Sequence, residues 1–569
     1  MNLGIKKSIA ILFVALFIHS STSMTARAQA PPETPRGFVG RWNAEGSRFA
    51  VGAGGAKSVD AGIRMLESGG NAADAAAASL LALTVTDSAS VCFGGEVPIL
   101  YYDAATKTVE VIAGQGAAPR LATLERFRDR PDGIPAKGVE SATVPALLDA
   151  VLVLLERRGT MTFAQVVEPT RALLAEGKRT WHADLARTID RLILAESAGP
   201  PGRSPGLRRV ADCFYRGPIA QEIDAWMREN NGLLRSIDLA SHVTRIEEPV
   251  SVAYRDWTIQ KCGAWTQGPM LLQTMAMLEA TPMRSLPRES ADSVHRIVET
   301  MKLALADRDS FLADPIFESV PLKEMLAPKY LEVRERLIDP ARASTVRLPG
   351  DPRRVSARLA PADDPVEVGR PPEPSNDTTT CVTVDPQGNV VAATPSGWSG
   401  VVAGSTGVWM GSRLQSFNLW PKHPNRLEPG KRPRITLTPT IVLDEQRRPV
   451  VAVSIAGGDN QDQLAVQLLV DLLDRGADPA TAVRAPRFLS DHLIGSFRQT
   501  EPALGKLRID PGFGEETLAT LKARGHVLEV KAGPLASAPV VLKIIRGEEG
   551  PARFQVAGDP ATGRHVDAR

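Results

Sequence analysis

Asp377-Thr378-Thr379-Thr380-Cys381-Val382-Thr383-Val384-Asp385-Pro386-Gln387-Gly388-Asn389-Val390-Val391 reads as a strand, a turn and a second strand that begin abruptly at a cluster of hydroxyls. Threonine and valine are β-branched and fit a pleated, half-buried surface, so an ordinary hairpin accounts for the composition by itself. The cluster also suits a nucleophile that becomes a new chain terminus. A hydroxyl needs a base to attack near neutral pH, and a cut before Thr378 frees one, the residue's own α-amine. That amine titrates near pH ~8 and can take the proton of its own hydroxyl without any histidine. The chain has only eight, scattered histidines.

Work outward and further landmarks fall in order. Downstream are Pro424-Asn425-Arg426-Leu427-Glu428-Pro429-Gly430-Lys431-Arg432-Pro433, Thr436-Leu437-Thr438-Pro439-Thr440, Ser454-Ile455-Ala456-Gly457-Gly458, Ala485-Pro486-Arg487-Phe488 and Gly558-Asp559-Pro560. Upstream are Gly69-Gly70-Asn71-Ala72-Ala73-Asp74-Ala75-Ala76 and Phe214-Tyr215-Arg216-Gly217. Over residues 45 to 565 this series resembles the γ-glutamyltransferases, N-terminal-nucleophile hydrolases made as one precursor. The resemblance implies an α/β fold, a four-layer αββα sandwich built jointly by two self-cleaved chains. It implies scission between Asp377 and Thr378, giving a large chain of residues 31–377 and a small catalytic chain of residues 378–569. Thr378 is then nucleophile and α-amine base.

The match also places Gly457 and Gly458 as the amides that receive the oxyanion, for which glycine allows close backbone approach. Ser396 falls where the family has a threonine bonded to the nucleophile. In the substrate pocket the chain departs from the family. Gln115 replaces the arginine that holds a γ-glutamyl α-carboxylate, and Ser416 replaces the aspartate that pairs with the α-amine. Trp398 stands for an asparagine, and Ile435 and Thr436 for a serine pair. Losing both charged partners costs about 3 to 6 kcal/mol at about 1.5 to 3 kcal/mol for each hydrogen bond to a charged group. Glutathione is therefore expected to be a poor substrate, with non-glutamyl acyl amides, such as glutaryl amides, as the alternative. A third alternative is an inactive relative kept for binding. Arg413 either supplies a replacement cation or lies at the surface. Trp398 either lines an acyl pocket or packs in the core.

Composition excludes some functions. With 67 basic and 65 acidic residues and no long basic run, no polyanionic partner such as nucleic acid is implied. No His-Glu-X-X-His or paired-cysteine spacing calls for a metal, and no cofactor is expected. Cys92, Cys213, Cys262 and Cys381 are far apart, and their pairing stays open. Gly52-Ala53-Gly54-Gly55-Ala56-Lys57-Ser58 lacks the glycine before lysine that a phosphate loop requires. Residues 1–30 carry Lys6 and Lys7, an apolar run over 9 to 18 and Ala28-Gln29-Ala30, which reads as a signal peptide cut after Ala30. The run is shorter than the ~20 residues of a membrane helix, so a periplasmic or secreted protein without an anchor is expected.

Periodicity predicts a helix from Ser58 to Leu66 stopped at Gly69-Gly70, and an alanine-rich helix capped by Asn71 and running to about Val85. It predicts a hairpin over 97 to 113, and helices near 141–157, 163–176, 218–230, 292–312 and 462–473. Residues 342–377 are rich in Pro, Arg, Asp and Glu, and are expected to be flexible up to the cleavage point.

Overall fold

A computed structural model describes Met1 and residues 40–359, 378–547 and 550–569. All but Met1 of the expected signal peptide, and Asp377, lie outside the described residues. The quoted stretch forms the expected hairpin: strands Cys381–Val384 and Val390–Ala393 pair antiparallel, with Val382 opposite Ala392 and Val384 opposite Val390. Asp385 builds its turn. Its carboxylate accepts from the Asn389 backbone and side-chain N–H groups at 2.9 and 2.7 Å, and from the Ala72 amide at 3.0 Å. The Val-Asp-X-X-Gly-Asn pattern is thus the chemistry that seats the hairpin on the start of helix Ala72–Thr86.

Side chains of the hairpin alternate between two cores, as the two-residue strand period requires. Val382, Val384, Val390 and Ala392 face Val540, Leu542 and Ile441 between the sheets. Cys381, Val391 and Ala393 face helices on the other side. The first sheet has the order His565–Ala568, Ala50–Ala53, Cys381–Val384, Val390–Ala393, Val97–Asp103, Thr108–Gly114, Arg245–Glu247. The second runs Asn43–Gly46, Arg553–Gly558, Ala538–Ile545, Pro449–Ala456, Thr440–Leu443, Trp257–Lys261, Val250–Tyr254. Neighbouring strands in both are antiparallel. Ser454 links them: its hydroxyl donates to the Ala393 carbonyl at 2.7 Å.

Helices cover the outer faces, completing four layers. Against the first sheet lie Ala56–Glu67, Ala72–Thr86 and Leu147–Arg158, with Phe163–Glu176 and Pro218–Glu229 packed on helices further out; against the second lie Gly268–Leu278 and Asn460–Leu469, with Ala291–Phe311 packed on them. Helix Ala72–Thr86 is apolar all round, which is how a helix reads when other elements surround it. Asn71 caps it with a reciprocal capping box through Asp74. Helix Asn460–Leu469 continues as a π-helical turn, Val470–Asp474. No helix of the described residues is long and apolar enough to cross a membrane, and no two of the four cysteines are bonded.

One expectation is corrected. The first half of the 342–377 segment is fastened to the body. The Gly350 amide donates to buried Asp307 at 2.8 Å, Arg334 donates to the Ala357 carbonyl at 2.7 Å, and the Ala343 amide reaches the Arg524 carbonyl at 2.7 Å. Composition alone missed this because the segment's order comes from buried charged side chains of neighbouring helices, not from apolar residues of its own. Residues 360–377 lie outside the described residues.

Candidate active site

Thr378 leads into strand Cys381–Val384 and is bridged antiparallel to Ser396, which is bridged in turn to Glu96. The bridges bring together residues almost 300 positions apart. Thr378 Oγ1 lies 3.1 Å from Ser396 Oγ. Arg413 donates from Nη2 to Ser396 Oγ and from Nε to Glu96 Oε1, both at 2.6 Å. Arg413 and Glu96 are buried, so this ion pair acts in a low-dielectric setting. A hydroxyl has one proton and two lone pairs. With a guanidinium on one lone pair, the Ser396 O–H is polarised and can donate to Thr378 Oγ1, where it would stabilise negative charge.

Thr378 also lies on the wall of a cavity of about 810 Å³, together with Gly457, Gly458, Gln415, Phe497 and Arg564. Gly457 and Gly458 form the turn between strand Pro449–Ala456 and helix Asn460–Leu469 at φ +146° and +57°. A Cβ on Gly457 would stand 2.6 Å from the Ala536 carbonyl oxygen, so only glycine fits without a shift. Among the described residues neither amide donates to a backbone or side-chain acceptor. Two N–H groups at a helix start favour negative charge. Asp459 then anchors the turn, accepting from Arg308 Nη1 and Ser496 Oγ, each at 2.5 Å. Gly54 lies beneath the threonines, where a Cβ would be 2.0 Å from Thr379 Oγ1. The glycine-rich run that superficially suggested a phosphate loop is thus the floor under Thr379.

The other expected positions divide. Gln115 is buried at the end of strand Thr108–Gly114, its amide donating to the Gly116 carbonyl at 3.0 Å. Ile435 and Thr436 are buried, Ile435 in the core between the sheets, and Ser416 is buried with its carbonyl held by Asn425 at 2.7 Å. Trp398 packs tilted on Trp409, with ring centroids 5.7 Å apart. None of these five lines the cavity. Arg413 is neither at the surface nor on the cavity wall, and acts on Ser396 from behind. Sequence reading missed Glu96, Asp459, Phe497, Gln415 and Arg564, since nothing local marks them and only the fold brings them to Thr378. The Arg564 guanidinium, held below its ordinary range by burial, approaches the Thr378 carbonyl at 3.5 Å. Cys381 offers no competing nucleophile, because burial pushes its thiol up to about 12.

Away from this cavity, His295, Glu299 and His526 form the one cluster of potential metal ligands among the described residues. Its atoms are already engaged. His295 Nδ1 faces His526 Nε2 at 2.9 Å, and its Nε2 faces the Asp339 carbonyl at 2.8 Å. Glu299 accepts from Lys302 Nζ at 2.6 Å and the Ser344 amide at 3.0 Å. Both rings fit neutral tautomers, and an ammonium beside the carboxylate disfavours a divalent ion.

Burial holds His423 and His492 down to about 4 and His526 down to about 3. Unfolded, each titrates near ~6.5, so the unfolded chain binds more protons below that pH. The stability these neutral rings contribute is complete above pH ~6.5 and is lost as pH falls toward 4 and then 3. Melting temperature should therefore fall steadily between pH 7 and 4. A flat profile over that range would contradict the burial of these rings.

The fold thus brings a hydroxyl pair just ahead of a strand next to a cavity that also holds a glycine turn. Comparison with known proteins gives the lineage: the family model described as Gamma-glutamyltranspeptidase matches residues 58–199 and 182–567, and the chain belongs to that family. It is 28% identical over 522 residues to a glutathione hydrolase-like YwrD proenzyme of Bacillus subtilis (strain 168), covering 86% of this chain and 93% of that protein. It is 29% identical over 525 residues to an acylase ACY 1 proenzyme of Pseudomonas sp. (strain SE83), covering 85% and 88%. A solved structure, of LmbA2991HD, superposes with a TM-score of 0.83 at 31% identity, covering 95% of this chain and all of the other. The fold is the stacked-sheet sandwich of the N-terminal-nucleophile hydrolases.

Proposed function

We propose that the protein is an exported, self-processing amide hydrolase or acyltransferase whose nucleophile is Thr378. The placement of Thr378, bonded to the Ser396 hydroxyl, on the same cavity as Gly457 and Gly458 carries this reading. In maturation the Thr378 hydroxyl attacks the Asp377 carbonyl, the peptide C–N bond breaks, and water hydrolyses the resulting ester. In turnover Thr378 Oγ bonds to the substrate carbonyl carbon while its α-amine takes the hydroxyl proton. The amine gives that proton to the leaving nitrogen as the C–N bond breaks. Water or an acceptor amine then releases the acyl group and restores the hydroxyl. Each sheet contains strands from before and from after residue 377, so a cut there leaves the sandwich assembled.

For the substrate, the positions that resemble the family's charged α-carboxylate and α-amine partners are Gln115 and Ser416, and neither lines the cavity, which supports acyl amides without an α-ammonium over γ-glutamyl compounds. Denaturing electrophoresis with N-terminal sequencing tests the maturation: fragments beginning at residue 31 and at Thr378 are expected. An uncut active chain would refute it, and a larger fragment that still begins at residue 1 would refute export with leader removal. Paired glutaryl and γ-glutamyl anilides test the substrate, and a higher kcat/KM for the γ-glutamyl compound would overturn that part.

Ser396→Ala should slow processing and turnover about ten- to hundredfold, the range expected when a hydrogen bond to a charged group is lost. Ser396→Thr should restore both. Rates unchanged in the alanine variant would remove Ser396 from the mechanism.

A further inference from the structure

Opposite the glycine turn, a second turn over residues 495–500 carries Phe497 into the cavity. A Cβ on Gly458 would lie 3.2 Å from Phe497 Cε2, and the Arg413 Cζ is 5.5 Å from the ring centroid. The ring therefore covers the space between the expected oxyanion amides and the guanidinium behind Ser396. Its position is fixed from three directions. The Ser496 amide and hydroxyl both bond Asp459, at 2.9 and 2.5 Å. Gly495 and Thr500 close the turn at 3.0 Å, and the Arg498 amide reaches the Gln415 carbonyl at 3.2 Å. Arg498 and Gln499 adopt left-handed backbone at φ +57° and +47°, which costs energy for residues other than glycine and persists where surrounding contacts hold it.

Of the cations lining this cavity, Arg564 faces the Thr378 carbonyl at 3.5 Å and Asp87 at 3.7 Å, and the other two pair with carboxylates. Arg508 bonds Asp491 at 2.7 Å, and Lys506 pairs with Glu529 at 2.7 Å. The cavity wall that carries Phe497 also has apolar Leu493, Ala503, Pro534 and Ala538, alongside polar Gln415, Thr500 and Glu501. The geometry points to Phe497 as the residue that selects the acyl group, favouring acids with a flat or aliphatic carbon skeleton that can lie on the ring next to Thr378. This rests on Thr378 being the nucleophile. Asp459 couples selection to chemistry, because one carboxylate holds both the turn that bears Phe497 and the turn that bears Gly457 and Gly458.

The test compares wild type with Phe497→Ala and Phe497→Leu on acetyl, hexanoyl and phenylacetyl anilides. The alanine variant should raise KM for the hexanoyl and phenylacetyl compounds at least about tenfold, as one lost aromatic contact can. The acetyl compound should lose least of the three, and cleavage before Thr378 should still occur. The leucine variant should recover hexanoyl more than phenylacetyl. Equal effects on all three acyl groups, or none, would overturn the inference, with melting temperature showing that each variant folds. A wild type that is cut before Thr378 but prefers acetyl would also sink it. A wild type uncut and inactive on every anilide would instead sink the nucleophile assignment.

Discussion

Thr378→Ala should give a single uncut band after export, and hydrolysis of anilides should fall on the order of a millionfold, as when a hydrolase loses its hydroxyl nucleophile. Two steps fail together, since the same Oγ serves scission and turnover. Thr378→Ser separates this from misfolding: a hydroxyl remains, so both fragments should form more slowly and part of the activity should return. The buried hydroxyl at 3.1 Å from Ser396 has room for either residue, so both variants should fold and melt close to wild type. Turnover unchanged in the alanine variant would refute the assignment outright.

Arg413→Met should act on stability as well as rate. It leaves the Glu96 carboxylate buried without its guanidinium, and breaking a buried pair in this way costs about 3 to 5 kcal/mol. Processing should slow too, because Ser396 Oγ loses the donor that polarises it. Combining Arg413→Met with Glu96→Gln should return most of the stability, as removing both charges does at buried pairs, while activity stays low. Denaturant midpoints and fragment formation over time separate the two effects. A double variant as active as wild type would show that the pair only braces the fold.

Much of this architecture can be read from the chain. The helices expected near 163–176 and 218–230 are Phe163–Glu176 and Pro218–Glu229, and the hairpin expected over 97 to 113 is Val97–Asp103 with Thr108–Gly114. Such elements carry their own periodicity and caps. Ser396 beside Thr378 was also legible, through the order of landmarks. Glu96 was not, because its partner Arg413 lies more than 300 residues away in sequence and a lone glutamate after two glycines carries no mark of burial. Phe497 was hidden for a similar reason: a single aromatic in a polar loop becomes a wall only when Asp459 draws its neighbour Ser496 inward. Residues 343–359 read as flexible because composition records apolar area but not which buried carboxylate will take a backbone amide.

The sharing of each sheet between strands from the two sides of residue 377 has a practical outcome. His565–Ala568 and Cys381–Val384 clasp Ala50–Ala53 between them, so neither fragment of a severed polypeptide could depart without stripping ladder hydrogen bonds from the other. Dilution should not dissociate the pair, and gel filtration at nanomolar concentration should return one species that melts in one transition. Fragments synthesised apart would each expose unpaired strand edges, and ought to aggregate instead of finding one another.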